Sequence, residues 1–224
     1  MTAGSVLDNV SERGCAHRVD LGAYTVFVAT FIPRGSRHHH GHHDLLSYVV
    51  YCDGIEVLCD PGMPSYRRSD SLFAATVSHN GLHPASPLRP EPMAFIPATF
   101  ATPTLQRHSL GEGYVAFEAR NEVLRSWKTL SLRGTGRELV IEESVAPSAA
   151  RRAASFSHCF SNPAARLADA RSVAHGNLQV TYEGLESLAL DSAERALEYG
   201  ERLPCARLTA TARDSSAATR IRHV

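Results

Sequence analysis

The chain has 224 residues, 43% of them hydrophobic and 21% charged, enough for one domain with a sizeable core. Basic and acidic side chains balance at 23 each, which argues against nucleic acid or an anionic membrane as the main partner. Apolar runs are of strand length, far below the roughly 20 residues of a membrane helix, and residues 1–20 lack the apolar centre of a signal peptide, so a cytoplasmic protein is expected.

In chain order, residues 1–22 read as an N-terminal extension in which 8–13 suits a short helix, and a sandwich domain is expected over 23–224. Alternating apolar, β-branched and aromatic residues predict strands at 24–31, 45–52, 55–59, 114–119, 127–132 and 139–143. Further strands are expected at 154–160, 178–182, 185–190, 206–212 and 217–221. Asp53-Gly54 is a strong two-residue hairpin signal; Gly134-Thr135-Gly136, Gly176-Asn177 and Glu183-Gly184 are weaker ones. Only 164–170 and 191–199 offer further helix-compatible stretches. The stretch 84–103 holds six of the twelve prolines and cannot be a regular central strand. About a dozen short strands at this spacing predict an all-β fold, a two-layer antiparallel sandwich. The five cysteines, Cys15, Cys52, Cys59, Cys159 and Cys205, contain no CxxC pair, which predicts free and mostly buried thiols. Cys52 and Cys59 flank the Asp53-Gly54 turn, and the simplest expectation is two small apolar side chains on paired strands. The sequence leaves homo-oligomerisation open.

Five of the twelve histidines fall within six positions: His38, His39, His40, His42 and His43, followed by Asp44. The run is internal and broken by Gly41, unlike a purification tag. On an extended backbone His40, His42 and Asp44 share one face, with His39 and His43 on the other. Two histidines at i, i+2 can bind a metal but leave its coordination incomplete. Asp60, in Cys59-Asp60-Pro61-Gly62 at the end of the next hairpin, is a credible oxygen ligand. His79, in Ser78-His79-Asn80, is a further nitrogen candidate, and His83 an additional ligand or base. Two imidazoles and a carboxylate with one open position suit zinc or another divalent ion.

Taken in order, His40-Gly41-His42-His43-Asp44, Asp53-Gly54, Asp60-Pro61-Gly62, Tyr66 and His79-Asn80 resemble the C-terminal β-sandwich of heparinase II/III-like polysaccharide lyases. That domain carries roughly HxHxD, a DG hairpin, DPG, an aromatic and HN. The resemblance implies zinc held by His42, Asp60 and His79. It also implies that His40 faces the substrate as a proton-transfer residue, with Tyr66 as a second candidate catalytic residue. Asp44 would orient a neighbouring histidine through its other ring nitrogen. Arg67, Arg68 and Asn80 are candidates for binding an anionic, uronate-like saccharide or a smaller anionic substrate.

Family members precede the sandwich with an α/α-toroid domain that supplies a tyrosine and the neutralisation of the uronate carboxylate. This sequence carries no such domain, and Phe73-Ala74-Ala75-Thr76 stands where an arginine often precedes the HN pair. The leading expectation is a metal-containing, lyase-type enzyme acting by β-elimination with an α/α-toroid partner chain or on a small substrate. Two alternatives are a free-standing small metalloenzyme on the same scaffold and a non-catalytic carbohydrate-binding or structural sandwich.

Overall fold

The computed structural model describes residues 6–11, 14–29, 46–62, 64–65, 73, 78–83, 104–109, 113–121, 126–146, 154–212 and 214–224. Among these, seventeen strands form two sheets and there is no α-helix. The strands of one sheet are β1 (Val6–Ser11), β2 (Gly14–Leu21), β3 (Tyr24–Ala29), β4 (Tyr48–Cys52), β5 (Ile55–Leu58), β6 (Gly81–His83), β11 (Ala154–Phe160), β15 (Leu185–Arg195) and β16 (Leu203–Ala212). The other sheet holds β7 (Thr104–Ser109), β8 (Tyr114–Asn121), β9 (Ser126–Thr135), β10 (Glu138–Ala146), β12 (Arg166–Asp169), β13 (Ser172–His175), β14 (Leu178–Glu183) and β17 (Ser216–His223). The first is ordered β1-β2-β3-β4-β5-β11-β16-β15, with β6 also paired to β11; the second is ordered β12-β13-β14-β17-β10-β9-β8-β7. The pairings are antiparallel throughout, which makes the molecule an antiparallel β-sandwich.

The two-residue period of the sequence builds this core. Tyr24, Val26 and Val28 of β3 are buried while Phe27 between them is exposed, and Tyr48, Val50 and Cys52 repeat the pattern on β4. They meet Phe117, Leu130, Leu132, Leu139 and Ile141 from the other sheet. Burying each large apolar side chain contributes about 1.5–3 kcal/mol.

Three sequence expectations are corrected. The boundary at residue 23 cuts a hairpin, because β2 pairs with β3 from Leu21↔Tyr24 to Ala16↔Ala29; β1 and β2 belong to the sandwich. The helix-compatible stretches 8–13, 164–170 and 191–199 instead contribute to β1, β12 and β15. Helix propensity separates ordinary residues by only tenths of a kcal/mol, and strand pairing overrides it. Short strands with weak alternation, such as β6 and β13, also raise the total above a dozen. The proline-rich stretch 84–103 lies outside the described residues. Among the described residues there is no helix long and apolar enough to cross a membrane.

Candidate metal centre

Asp53 and Gly54 both take positive φ, 49° and 78°, the two-residue turn that matches strand twist, so Cys52 faces Ile55. Cys59 lies just beyond this ladder and so does not face Cys52 across the turn; both are buried, small side chains at the ends of paired strands. β5 leads directly into Asp60-Pro61-Gly62. Here Gly62 N–H donates to Asp60 Oδ1 at 2.8 Å, closing a turn over the carboxylate. The loop is fixed from outside as well, since Ala196 N–H donates to Pro61 O at 2.8 Å.

Asp60 Oδ2 then lies 2.7 Å from His79 Nδ1. His79 is fully buried, while a third of the Asp60 side chain, 34%, reaches solvent. The His79 carbonyl accepts from Ser157 Oγ at 2.6 Å and from His83 Nε2 at 2.9 Å, and Arg207 Nη2 donates to Ser78 O. His83 is thus a buried prop beneath His79, kept neutral because burial and nearby Lys128 push its pKa well below the ordinary histidine value.

Asn80 has a different place from the substrate-facing one expected of it. Its Nδ2 donates to Tyr48 O at 2.7 Å and to Cys59 O at 2.9 Å, and its Oδ1 accepts Cys159 N–H at 2.7 Å. With no exposed surface, it ties β4, the Asp60 loop and β11 together at one point. His40, His42, Asp44, Tyr66, Arg67 and Arg68 lie outside the described residues.

Beneath the centre runs a polar chain that the sequence reading did not find. Lys128 on β9, its side chain 11% exposed, lies 3.4 Å from Glu143 on β10 and donates to Leu46 O at 3.1 Å. Glu143 accepts Leu82 N–H and the Tyr48 hydroxyl at 2.9 and 2.8 Å. Tyr48 Oη also meets His158 Nε2 at 2.7 Å, whose Nδ1 meets Tyr182 Oη at 3.1 Å. Gly81 packs on this chain: a Cβ there would sit 2.5 Å from Glu143 Oε1 and 2.9 Å from Lys128 Nζ. Burial, then repulsion from Lys128, pushes His158 down to about 3. A buried ion pair with this many partners is tolerated because each desolvated group finds hydrogen bonds. Lys128 is the one lysine of the sequence, and no local pattern ties it to Glu143 or His158.

Behind Asp60, Cys59, Cys159 and Cys205 form a buried cluster, with Cys159 and Cys205 sulfurs 3.3 Å apart. Hydrogen bonds from Cys159 and Cys59 pull the Cys205 thiol down to about 4, helped by Arg207 and Arg195. The described cysteines, Cys52 included, are buried and free of disulfides, as expected. Nothing local in sequence links residues 59, 159 and 205; the β11–β16 pairing brings the last two together, and Cys59 N–H donates to Cys159 O at 2.8 Å.

An imidazole nitrogen and a half-open carboxylate oxygen, converging from loops 19 residues apart, form a donor pair that suits zinc. The carboxylate is aimed by a backbone N–H, as metal-binding carboxylates commonly are. The architecture and these residues define a β-sandwich with a histidine–aspartate centre at the rim of one sheet. The sequence matches the family Heparinase II/III-like, C-terminal over residues 11–224, and the chain belongs to that family. Its fold is similar to that of heparinase III in a form with methylated lysines, at TM-score 0.72 and 12% identity, covering 98% of this chain and 35% of that one. It is similarly like heparan sulfate lyase HepC from Pedobacter heparinus, at TM-score 0.66 and 11% identity, covering 99% and 36%. The chain therefore spans about a third of the length of these structures. No relative was found among curated proteins.

Proposed function

We propose that this domain is the metal-bearing part of a polysaccharide-lyase centre acting by β-elimination on an anionic, uronate-type saccharide, with zinc held by His42, Asp60 and His79. The observation that carries the reading is the triple anchorage made by Asn80. One side chain fastens Tyr48, six residues after His42, to Cys59, beside Asp60, and is itself the neighbour of His79. Six residues of chain reach at most about 21 Å, which is length enough for His42 to join the other two ligands.

In this reading His40, two residues before His42 in the sequence, moves the proton alpha to the uronate carboxylate, and Tyr66 serves the leaving oxygen. Arg67 and Arg68 meet the carboxylate, whose developing charge must be stabilised for elimination to proceed. Asp44 orients one of the imidazoles. Zinc, when bound, supplies positive charge and fixes the orientation of its ligands. An α/α-toroid, on a partner chain or elsewhere in a longer protein, supplies the opposing wall of the cleft.

Elemental analysis of untagged protein tests the ligand set. Asp60→Ala and His42→Ala should each hold one equivalent of zinc fewer than wild type, while His40→Ala keeps the full complement. Unchanged zinc in both ligand variants removes the proposed centre; loss in His40→Ala would make that residue a ligand.

A further inference from the structure

A second cluster lies at the other end of the β4–β5 hairpin, a strand's length from Asp60. Cys52 Sγ is 3.2 Å from His223 Nε2, and the same nitrogen is 3.6 Å from Asp53 Oδ2. The three donor atoms all lie within 4.8 Å of one another. Cys52 closes β4 in one sheet, Asp53 is the first residue of the turn, and His223 closes β17 in the other sheet. Strand register fixes two of the three, Cys52 opposite Tyr24 and His223 opposite Leu178, and Asp53 N–H donates to Ala23 O at 2.8 Å. Val224 N–H donates to Asn177 O at 3.0 Å, holding the end of β17 in place.

We propose that Cys52, Asp53 and His223 form a second, separate divalent-metal site of the zinc type, clasping the tip of the β4–β5 hairpin to the end of β17. On a tetrahedral zinc, thiolate sulfur and imidazole nitrogen stand about 3.6 Å apart, and imidazole nitrogen and carboxylate oxygen about 3.3 Å. The observed separations of 3.2 and 3.6 Å lie within about 0.4 Å of these, and rotation of the exposed Asp53 side chain can bring its oxygen, within 4.8 Å of the sulfur, onto the ion. Cys52 is buried, His223 partly so and Asp53 exposed, leaving the outer side open for a water as fourth ligand. The Asn177 amide lies 3.5 Å from His223 Nδ1; with its oxygen turned to the ring it accepts Nδ1–H and leaves the Nε2 lone pair for the metal. Thiolate with imidazole selects zinc or cobalt over magnesium and calcium. Binding releases the thiol proton to solvent, and no electron is transferred.

The thiolate makes this site distinguishable from the one formed by His42, Asp60 and His79, which has no sulfur. Cobalt(II) titrated anaerobically into metal-free, reduced protein should produce a near-ultraviolet thiolate-to-cobalt absorption that saturates by two equivalents, one for each proposed centre. It should persist in Asp60→Ala, vanish in Cys52→Ser, and require at least tenfold more cobalt in His223→Gln. No such band in wild type, or a band that survives Cys52→Ser and so belongs to other thiols, overturns the proposal. Failure of the first centre shows in Asp60→Ala zinc content alone and leaves this readout intact.

Discussion

His158 shows how one buried side chain sets a pH limit on the whole sandwich. It lies among Tyr48, Tyr182, Phe156 and Phe160, where a proton cannot be solvated, so its folded pKa is pushed down to about 3. An unfolded histidine titrates near 6.5. Between about pH 6.5 and 3 the unfolded chain binds a proton that the folded chain refuses, so stability is complete above this window and falls as pH drops through it. The slope is about 1.4 kcal/mol per pH unit for each such histidine. Urea unfolding at pH 7, 6 and 5 should show this loss, and His158→Gln should flatten it. A variant slope equal to that of wild type would mean that other groups carry the pH dependence.

Elements are joined where loops touch strands, and the Asp60 loop is the tightest case. Gly62 has φ 63°, and a Cβ there would lie 2.0 Å from Ala196 O, a backbone atom that cannot step aside alone. Gly62→Ala should therefore cost more than about 1–3 kcal/mol in folding and should weaken zinc binding, because Gly62 N–H aims Asp60. Calorimetric melting together with a zinc titration reads both; an unchanged melting temperature would show that the loop has room to shift.

How much of this the sequence discloses depends on range. The Asp53-Gly54 hairpin and β11, found at its expected bounds of 154–160, rest on neighbouring residues and were legible. So were Asp60 and His79 as a possible pair, through motif order. The segment 191–195 read as helix because Ser, Ala, Glu and Arg tolerate one, yet it ends an eleven-residue edge strand paired to β16. The roles of Asn80, His158 and the cysteine cluster depend on contacts 21 to 110 residues apart, which no local pattern encodes.

At the scale of the molecule, the proposed function gives the sandwich one side of a reaction site only. Elimination from a uronate needs a base, an acid and a carboxylate neutraliser converging on one sugar, and an evenly balanced chain offers no strong field to draw in a polyanion. Incubated by itself with heparan-type and alginate-type polymers, the 224-residue chain should generate no absorbance from unsaturated product. Turnover should appear on adding an α/α-toroid domain that docks against the rim. Robust turnover without it would mean that the sandwich completes the site alone.

Lys128 carries the only ε-amine in the sequence, and that amine is enclosed between the sheets against Glu143 and Leu46. Acylating reagents that mark surface lysines on other proteins therefore find no exposed lysine here. Modification at residue 128 can occur only when the layers part, and its rate, followed by mass spectrometry, becomes a clock for that opening.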